Sequence, residues 1–327
     1  MTGRLDLPLL EGVLDRGRVE EVLRPLLAVH GDGPEVPKLD SAVLVVAHPG
    51  RRALVAYGFS NGRRLFGKHF SDPSQARRVH AAMVFLSSRT FRGSRRYDVP
   101  RPLGYVPELS LVIYAPVAGR CLGDLLQGDA ALAALRRTAG WLAQLHRSRL
   151  PLDRRLDVSN ELANSQLWAD LIEANFPEDA PGATAIVRRL RKLGQQLELE
   201  LDVPIHKDLH HGHVIVGERL SVVDFDEMRY GDRTFDLAHF CAYLRLETLR
   251  RKTSHEPLER AFLDEYERRT GWERDDRFEF FFAYTCLKIA RQLCQQRGIA
   301  PHPRGEESRR QLRATLREAH TLEAVHG

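Results

Sequence analysis

The sequence predicts an α+β protein of two lobes, an antiparallel β-rich N-terminal part followed by a mostly helical C-terminal part. Three observations predict it. First, the apolar runs Ala42–Ala47, Ala53–Phe59 and Arg64–Phe70 are separated by His48-Pro49-Gly50 and Ser60-Asn61-Gly62. Short apolar runs broken by Pro-Gly and Asn-Gly turns make an antiparallel meander. Second, beyond Gly119 apolar residues recur mainly at helical spacing. Third, Pro116-Val117-Ala118-Gly119 between them reads as a linker, with a cleft expected at about residues 114 to 119.

Taken in order, residues 4 to 30 predict one or two short helices, with Leu9, Leu10, Val13, Val19, Val22 and Leu23 near helical spacing. Ser71-Asp72-Pro73 starts a helix that runs to about Arg89, because a capping residue precedes proline in the first turn. Pro100 and Pro102 end an extended connection, and Leu111–Ala115 is a further strand. Leu132 to Arg147, with Leu135, Trp141, Leu142 and Leu145, is a buried helix. Residues 150 to 180, rich in Asp, Asn and Pro, read as irregular, and Ala183 to Leu201 as a helix. Short strands follow at Val214–Val216 and Ser221–Val223, then helices from Phe235 to about Arg297. The phenylalanines between Phe278 and Phe282 read as core, and the charged tail after Pro303 as a surface helix.

Bulk properties narrow the function. The 327 residues suffice for two domains or one large two-lobed unit. With 43% hydrophobic and 28% charged residues, disordered and collagen-like classes are excluded. No run approaches the roughly 18–20 apolar residues of a membrane span, and Met1 to Gly12 carries no secretory pattern. Cys121, Cys241, Cys286 and Cys294 form no C-x-x-C pair and read as buried thiols of a cytoplasmic protein. A net charge of +5 suits an anionic ligand such as a nucleotide and is too diffuse for nucleic acid.

The chemistry concentrates in His206-Lys207-Asp208-Leu209-His210-His211-Gly212-His213, followed by Asp224-Phe225-Asp226 after the apolar Val222-Val223. Two carboxylate-bearing loops with a basic segment far upstream are the parts that metal-assisted phosphoryl transfer needs. A base that accepts a hydroxyl proton must project from a loop, as Asp208 does here. A carboxylate at a strand end, Asp224, can bridge metal to phosphates.

These segments, with Gly231-Asp232-Arg233-Thr234-Phe235-Asp236-Leu237-Ala238, resemble the aminoglycoside phosphotransferase and choline kinase-like small-molecule kinases. That family reads H-G-D-L-H-P-G-N, then I-D-F-D and G-D-P-x-x-D-L-A. The resemblance spans roughly residues 40 to 300 and implies a protein kinase-like fold, with a nucleotide-binding lobe at 1–118 and a catalytic, acceptor-binding lobe at 119–327. It implies ATP as phosphoryl donor, Mg2+ as metal and a small-molecule hydroxyl as acceptor. Asp208 would be the base and His206 would orient its loop. Lys68 would hold phosphates, and Tyr114, Ala115 and Val117 would meet the adenine edge. Asp224 would be the main metal ligand, assisted by His213, and Asp236 would anchor the Asp208 loop.

Three departures stand out. His213 replaces the family asparagine, and imidazole favours softer metals such as Mn2+ over Mg2+. The helix Pro73 to Arg89 contains no Asp or Glu to pair with Lys68. No glycine-rich loop precedes the second strand; His48-Pro49-Gly50-Arg51-Arg52 is a basic turn that reads as a solvated hairpin tip. The arginine pairs elsewhere also read as solvated faces. Asp226 and Glu227, with Asp170 and Glu173, would supply carboxylates to a cationic acceptor, and Trp168 and Tyr230 would line its pocket. Two other readings stay open. A catalytically dead kinase fold acting as a binding module fits the first two departures, although retention of both Asp208 and Asp224 opposes it. A zinc hydrolase using His206, His210, His211, His213 and Asp208 fits the histidine density, although His69 and His239 stand alone in the sequence.

Overall fold

A computed structural model describes residues 10–30, 37–295 and 304–321; the expected helix start at residues 4 to 9 lies outside them. In chain order the first elements are helices α1 (Leu10–Leu14) and α2 (Arg16–His30) and strands β1 (Leu39–His48), β2 (Arg52–Phe59) and β3 (Arg64–Phe70). Helix α3 (Pro73–Phe85) and strands β4 (Tyr97–Asp98), β5 (Pro102–Val106), β6 (Leu111–Tyr114) and β7 (Arg120–Cys121) follow. Then come helices α4 (Ala130–His146), α5 (Val158–Asn175) and α6 (Ala180–Gly194). Strands β8 (Val203–Ile205), β9 (Val214–Val216), β10 (Leu220–Val222) and β11 (Arg229–Gly231) precede helices α7 (Arg233–Arg251), α8 (Glu256–Thr270), α9 (Asp276–Gln295) and α10 (Arg304–Thr321).

The chain divides into two compact units. The first takes in residues 1–119 and Ile215–Asp226, so Asp224 and Asp226 group with the N-terminal strands although they follow the Asp208 loop in sequence. Its five-stranded sheet has the order β1-β2-β3-β6-β5 with antiparallel neighbours. One face buries Val55, Tyr57, Leu111 and Ile113 against Val13, Val19, Leu23 and Leu27 of α1 and α2. The Tyr57 hydroxyl donates to the Val13 carbonyl at 2.9 Å, which satisfies a polar group inside that core. Helix α3 starts as expected: Asp72 accepts the Ser74 N–H at 2.8 Å, and Pro73 occupies the first turn. It ends at Phe85, and Leu86–Thr90 continue as a π-turn. Beyond the extended connection that Pro100 and Pro102 end, Pro102–Val106 forms β5, an edge strand not expected from the sequence, where a leading proline withholds no bond from an inner neighbour. Gly119 has φ 143°, and a Cβ there would lie 2.7 Å from the Val216 carbonyl oxygen, so glycine is required for this close approach.

The second unit, residues 120–214 and 227–327, is mainly helical. Helix α9 is its centre, packing against α5, α6, α7 and α10. The expected Phe278–Phe282 core is present, since Phe278, Phe280, Phe281 and Phe282 are all buried. The region expected to be irregular, residues 150 to 180, instead contains the 18-residue α5. Its buried face carries Glu161, Ser165, Ala169 and Ile172, so polar and small residues hide the helical period. Asp157 caps it by accepting the Ser159 N–H at 2.9 Å. The tail helix α10 is not wholly a surface element, because Leu312, Leu316 and Ala319 are buried. Cys241, Cys286 and Cys294 are buried thiols as expected, whereas Cys121 is half-buried.

Candidate active site

The Asp208 loop leaves β8, which pairs antiparallel with β11, and is tied down by one carboxylate. Asp236, in the first turn of α7, accepts the His206 N–H at 2.7 Å, the Lys207 N–H at 2.8 Å and His146 Nε2 at 3.1 Å. The Tyr266 hydroxyl donates to His146 Nδ1 at 2.7 Å, which leaves the His146 proton on Nε2 for Asp236. Burial alone would raise the Asp236 pKa. The hydrogen bond and charge of His146, with His206, outweigh burial and hold it below the ordinary carboxylate value. The arrangement forces Lys207 to φ 65°, a left-handed conformation that is strained for a lysine.

Two residues not singled out in the sequence meet Asp208. Lys288 Nζ from α9 lies 2.8 Å from its Oδ1, and His239 Nε2 from α7 lies 3.4 Å from the same oxygen. His239 is therefore not the isolated histidine its sequence context suggests. Burial pushes the Asp208 pKa up. The Lys288 charge, with smaller contributions from His239 and His213, reverses this and holds the carboxyl well below the usual range. Burial, with the Lys288 charge, lowers His239 to about 4 despite Asp208, so the ring is neutral at neutral pH. Asp208 is thus an ionised carboxylate whose basicity is reduced by a neighbouring ammonium.

Of the loop histidines, His210 Nδ1 accepts the Gly212 N–H at 3.0 Å, and burial lowers its pKa to about 2. His213 Nδ1 donates to the Asp208 carbonyl at 2.8 Å, which puts the ring's lone pair on Nε2. Asp208, His210 and His213 each offer a ligand atom within 4.8 Å of the others, the one such group among the described residues. The bond from Gly212 occupies the His210 Nδ1 lone pair and leaves its proton on Nε2. The group therefore presents two ready ligands, fewer than the three protein ligands of a catalytic zinc site. His206 is fully buried beneath the loop, where its Nδ1 accepts the Asp208 N–H at 3.4 Å.

Within the first unit, Asp224 and Asp226 supply to Lys68 of β3 the carboxylates that helix α3 lacks. The lysine Nζ lies 2.9 Å from Asp224 Oδ1 and 2.7 Å from Asp226 Oδ1. Arg52 of β2 pairs with Asp226 and lies 3.8 Å from Asp224 Oδ2. The basic turn before β2 is therefore only partly solvated, since the Arg52 side chain is 19% exposed and engaged. Burial and the Asp224 charge push the Asp226 pKa up to about 6, against Lys68 and Arg52. Asp224 itself sits at φ 69°, a second strained non-glycine position among the described residues of the motif. Gln75 of α3 reaches the Asp226 carbonyl at 3.5 Å. The Tyr114 hydroxyl is held protonated by burial and by the charges of Asp224 and Asp226. The Ala115 N–H donates to the Arg101 carbonyl at 2.9 Å. Val117 lies in the half-buried segment between β6 and Gly119.

The expected acceptor-side residues are held differently from one another. Glu227 pairs with Arg229 at 2.8 Å and approaches Arg154 at 3.8 Å. Tyr230 donates to the Leu150 carbonyl at 3.0 Å, and Trp168 packs on Tyr284 with ring centroids 5.0 Å apart. Asp170 is exposed and accepts from Gln166 at 2.7 Å.

Carboxylates on two motif loops, a strand lysine beside one pair of them and a buried aspartate fixing the other loop describe a small-molecule phosphotransferase of protein kinase-like fold. The chain belongs to the phosphotransferase enzyme family, which it matches over residues 56–278. Solved structures agree on the fold. A Ralstonia eutropha protein provisionally assigned as an aminoglycoside phosphotransferase superposes with TM-score 0.65 at 16% identity, covering 91% of this chain and 96% of its own. An amicoumacin kinase solved with AMP-PNP, Ca2+ and Ami gives 0.59 at 15% identity, covering 85% and 88%. A choline kinase from Streptococcus pneumoniae gives 0.59 at 14% identity, covering 92% and 99%. No curated protein matches the sequence significantly.

Proposed function

We propose that the protein transfers the γ-phosphoryl group of ATP to a hydroxyl of a small molecule. The observation that carries this reading is the ammonium of Lys68 held within 2.9 Å of both Asp224 and Asp226 in a chain of phosphotransferase ancestry. A cation that can take phosphate oxygens thereby lies beside two hard oxygen donors that can take a divalent metal. The donor set fits that metal: Asp224 and Asp226 are neighbouring carboxylates, and burial with the Asp224 charge raises the Asp226 pKa to about 6 even against Lys68 and Arg52. Asp224 would be the main metal ligand, beside Asp226, and Mg2+ suits these carboxylates. Bound metal and nucleotide would supply charge neutralisation at the β- and γ-phosphates.

The remaining chemistry belongs to the chain. Asp208, ionised across the neutral range, orients the acceptor hydroxyl and receives its proton late in transfer, since a loose transition state demands little from the base. His206 and Asp236 hold the loop, and Lys68 draws the phosphates. We assign the first unit to nucleotide binding and the second to the acceptor. Tyr114, Ala115 and Val117 are the adenine-edge segment in this reading.

The test is calorimetric titration of ATP into the protein with Mg2+, with Mn2+ and without metal, followed by single-turnover ADP release in wild type and Asp208→Asn. Metal-dependent binding that survives in Asp208→Asn, with turnover lost by about 10²-fold or more, is the expected result. Absence of nucleotide binding under every condition would favour the binding-module reading, and wild-type turnover in the variant would remove Asp208 from the role of base.

A further inference from the structure

We infer that the acceptor carries an anionic group, a carboxylate or phosphate, which docks on a buried basic cluster built around Lys288. The inference rests on Asp208 being the base. A hydroxyl served by Asp208 must come within about 2.6–3.2 Å of its carboxylate. Lys288 Nζ is 2.8 Å from that same carboxylate. Whatever group flanks the reacting hydroxyl therefore meets an ammonium first.

The surroundings extend the positive charge. Arg229 and Lys288 act electrostatically on Lys207, Arg154 acts on Arg229, and Arg229 and Arg291 both act on Tyr284. Among the described residues the ion pairs of this cluster join four cations, Arg154, Lys207, Arg229 and Lys288, to three carboxylates, Asp208, Glu161 and Glu227. The carboxylates are also committed. Glu161 takes Lys207 at 2.6 Å, Arg229 at 4.0 Å and the Tyr284 hydroxyl. Glu227 takes Arg229 at 2.8 Å and Arg154 at 3.8 Å. A substrate ammonium would have to displace a guanidinium or an ammonium from each. The aromatic face that could receive a cation is engaged as well, because Arg291 lies 5.6 Å from the Trp168 ring centroid.

A cluster with excess positive charge in poorly hydrated surroundings is stabilised when an anion enters, whereas a cation would add to its repulsion. Burial and neighbouring cations already press on it: Arg229 is lowered by burial and then by Arg154, and Lys207 by burial and then by Arg229 and Lys288, against Glu161. Lys207 is the most telling member. Its left-handed backbone would be unstrained as glycine, yet the position holds a charged side chain.

The experiment titrates full-length protein, saturated with AMP-PNP and metal, with inorganic phosphate and citrate as anions and with kanamycin and spermidine as cations, at constant ionic strength. The expected result is saturable anion binding that Lys288→Met and Arg229→Gln weaken by about tenfold or more. Lys288→Arg should retain it, and Asp208→Asn should keep or tighten it while abolishing turnover. Anion binding unchanged by Lys288→Met and Arg229→Gln overturns the inference. So does preferential saturable binding of either cation, or no binding of any probe. If Lys288→Met does not fold, Arg229→Gln and Lys288→Arg decide. AMP-PNP binding is measured first and the anion series is repeated without nucleotide. A failed nucleotide site then registers against the phosphotransferase reading separately from a failed anion site.

Discussion

Asp236→Asn tests the anchoring of the Asp208 loop. The carboxylate is fully buried and accepts three donors, His206 N–H and His146 Nε2 on Oδ2 and Lys207 N–H on Oδ1, at 2.7, 3.1 and 2.8 Å. An amide offers one acceptor oxygen, so in either orientation at least one of these donors faces an NH2 group. A charge-assisted hydrogen bond contributes ~1.5–3 kcal/mol, and a buried donor left unsatisfied costs a further ~1–3 kcal/mol. The variant should therefore lose roughly 3–5 kcal/mol. Trp141 reports on the region, since its ring lies 6.5 Å from that of His206, so urea unfolding followed by tryptophan fluorescence is the assay. The pH dependence has a fixed sign. Because the folded-state pKa is depressed, the stability Asp236 contributes is fully present above its unfolded value of about 3.9 and is lost as pH falls through the folded value. The gap between wild type and variant should be constant from about pH 5 upward and should close on further acidification. A gap under about 1 kcal/mol, or one that does not close in acid, would refute the reasoning.

Lys207→Gly should be more stable than Lys207→Ala by about 1 kcal/mol, because both lose the 2.6 Å pair with Glu161 but only glycine relaxes φ 65°; equal denaturation midpoints would show that the backbone there is unstrained. Lys68→Met should weaken metal–ATP binding by about tenfold or more in calorimetry, since it removes the ammonium between Asp224 and Asp226; unchanged affinity would move phosphate binding elsewhere, with Arg52 the next residue to replace. Leu312→Ala should cost ~2–5 kcal/mol in the unfolding of the helical unit, because Leu312 is fully buried on α10 against α9; a loss below ~0.5 kcal/mol would make α10 the surface helix its charge pattern suggests.

What could be read from the sequence was what is local along it. The three-strand meander announces itself through Pro-Gly and Asn-Gly turns, and α3 through Asp72-Pro73, since turn and cap chemistry acts over two to four residues. Helix α5 was not legible because its buried face is made of Glu161, Ser165 and Ala169 as well as Ile172; a polar residue buried by a distant partner looks solvent-facing in a sequence window. The Asp208 loop and Asp224 were legible as a motif for the same reason that their surroundings were not. The motif is contiguous, while Lys288 lies 80 residues beyond Asp208 and Arg52 lies 174 before Asp226.

That difference bears on which property of such an enzyme can be read from a motif. The proposed base and metal carboxylate and the Asp236 anchor fall within two short stretches of sequence, residues 206–213 and 224–236. The charge beside Asp208, which we propose faces the acceptor, is assembled from α5, the Asp208 loop, β11 and α9, through Glu161, Lys207, Arg229 and Lys288. Each of those residues alone reads as an ordinary surface charge. Asp226 and Glu227 adjoin the motif and suggest a cationic acceptor, but the fold pairs the first with Lys68 and Arg52 and the second with Arg229 and Arg154. Once those pairs are made, four cations share three carboxylates in the cluster that includes Asp208, and the anion preference we propose follows from that balance rather than from the carboxylates nearest in sequence.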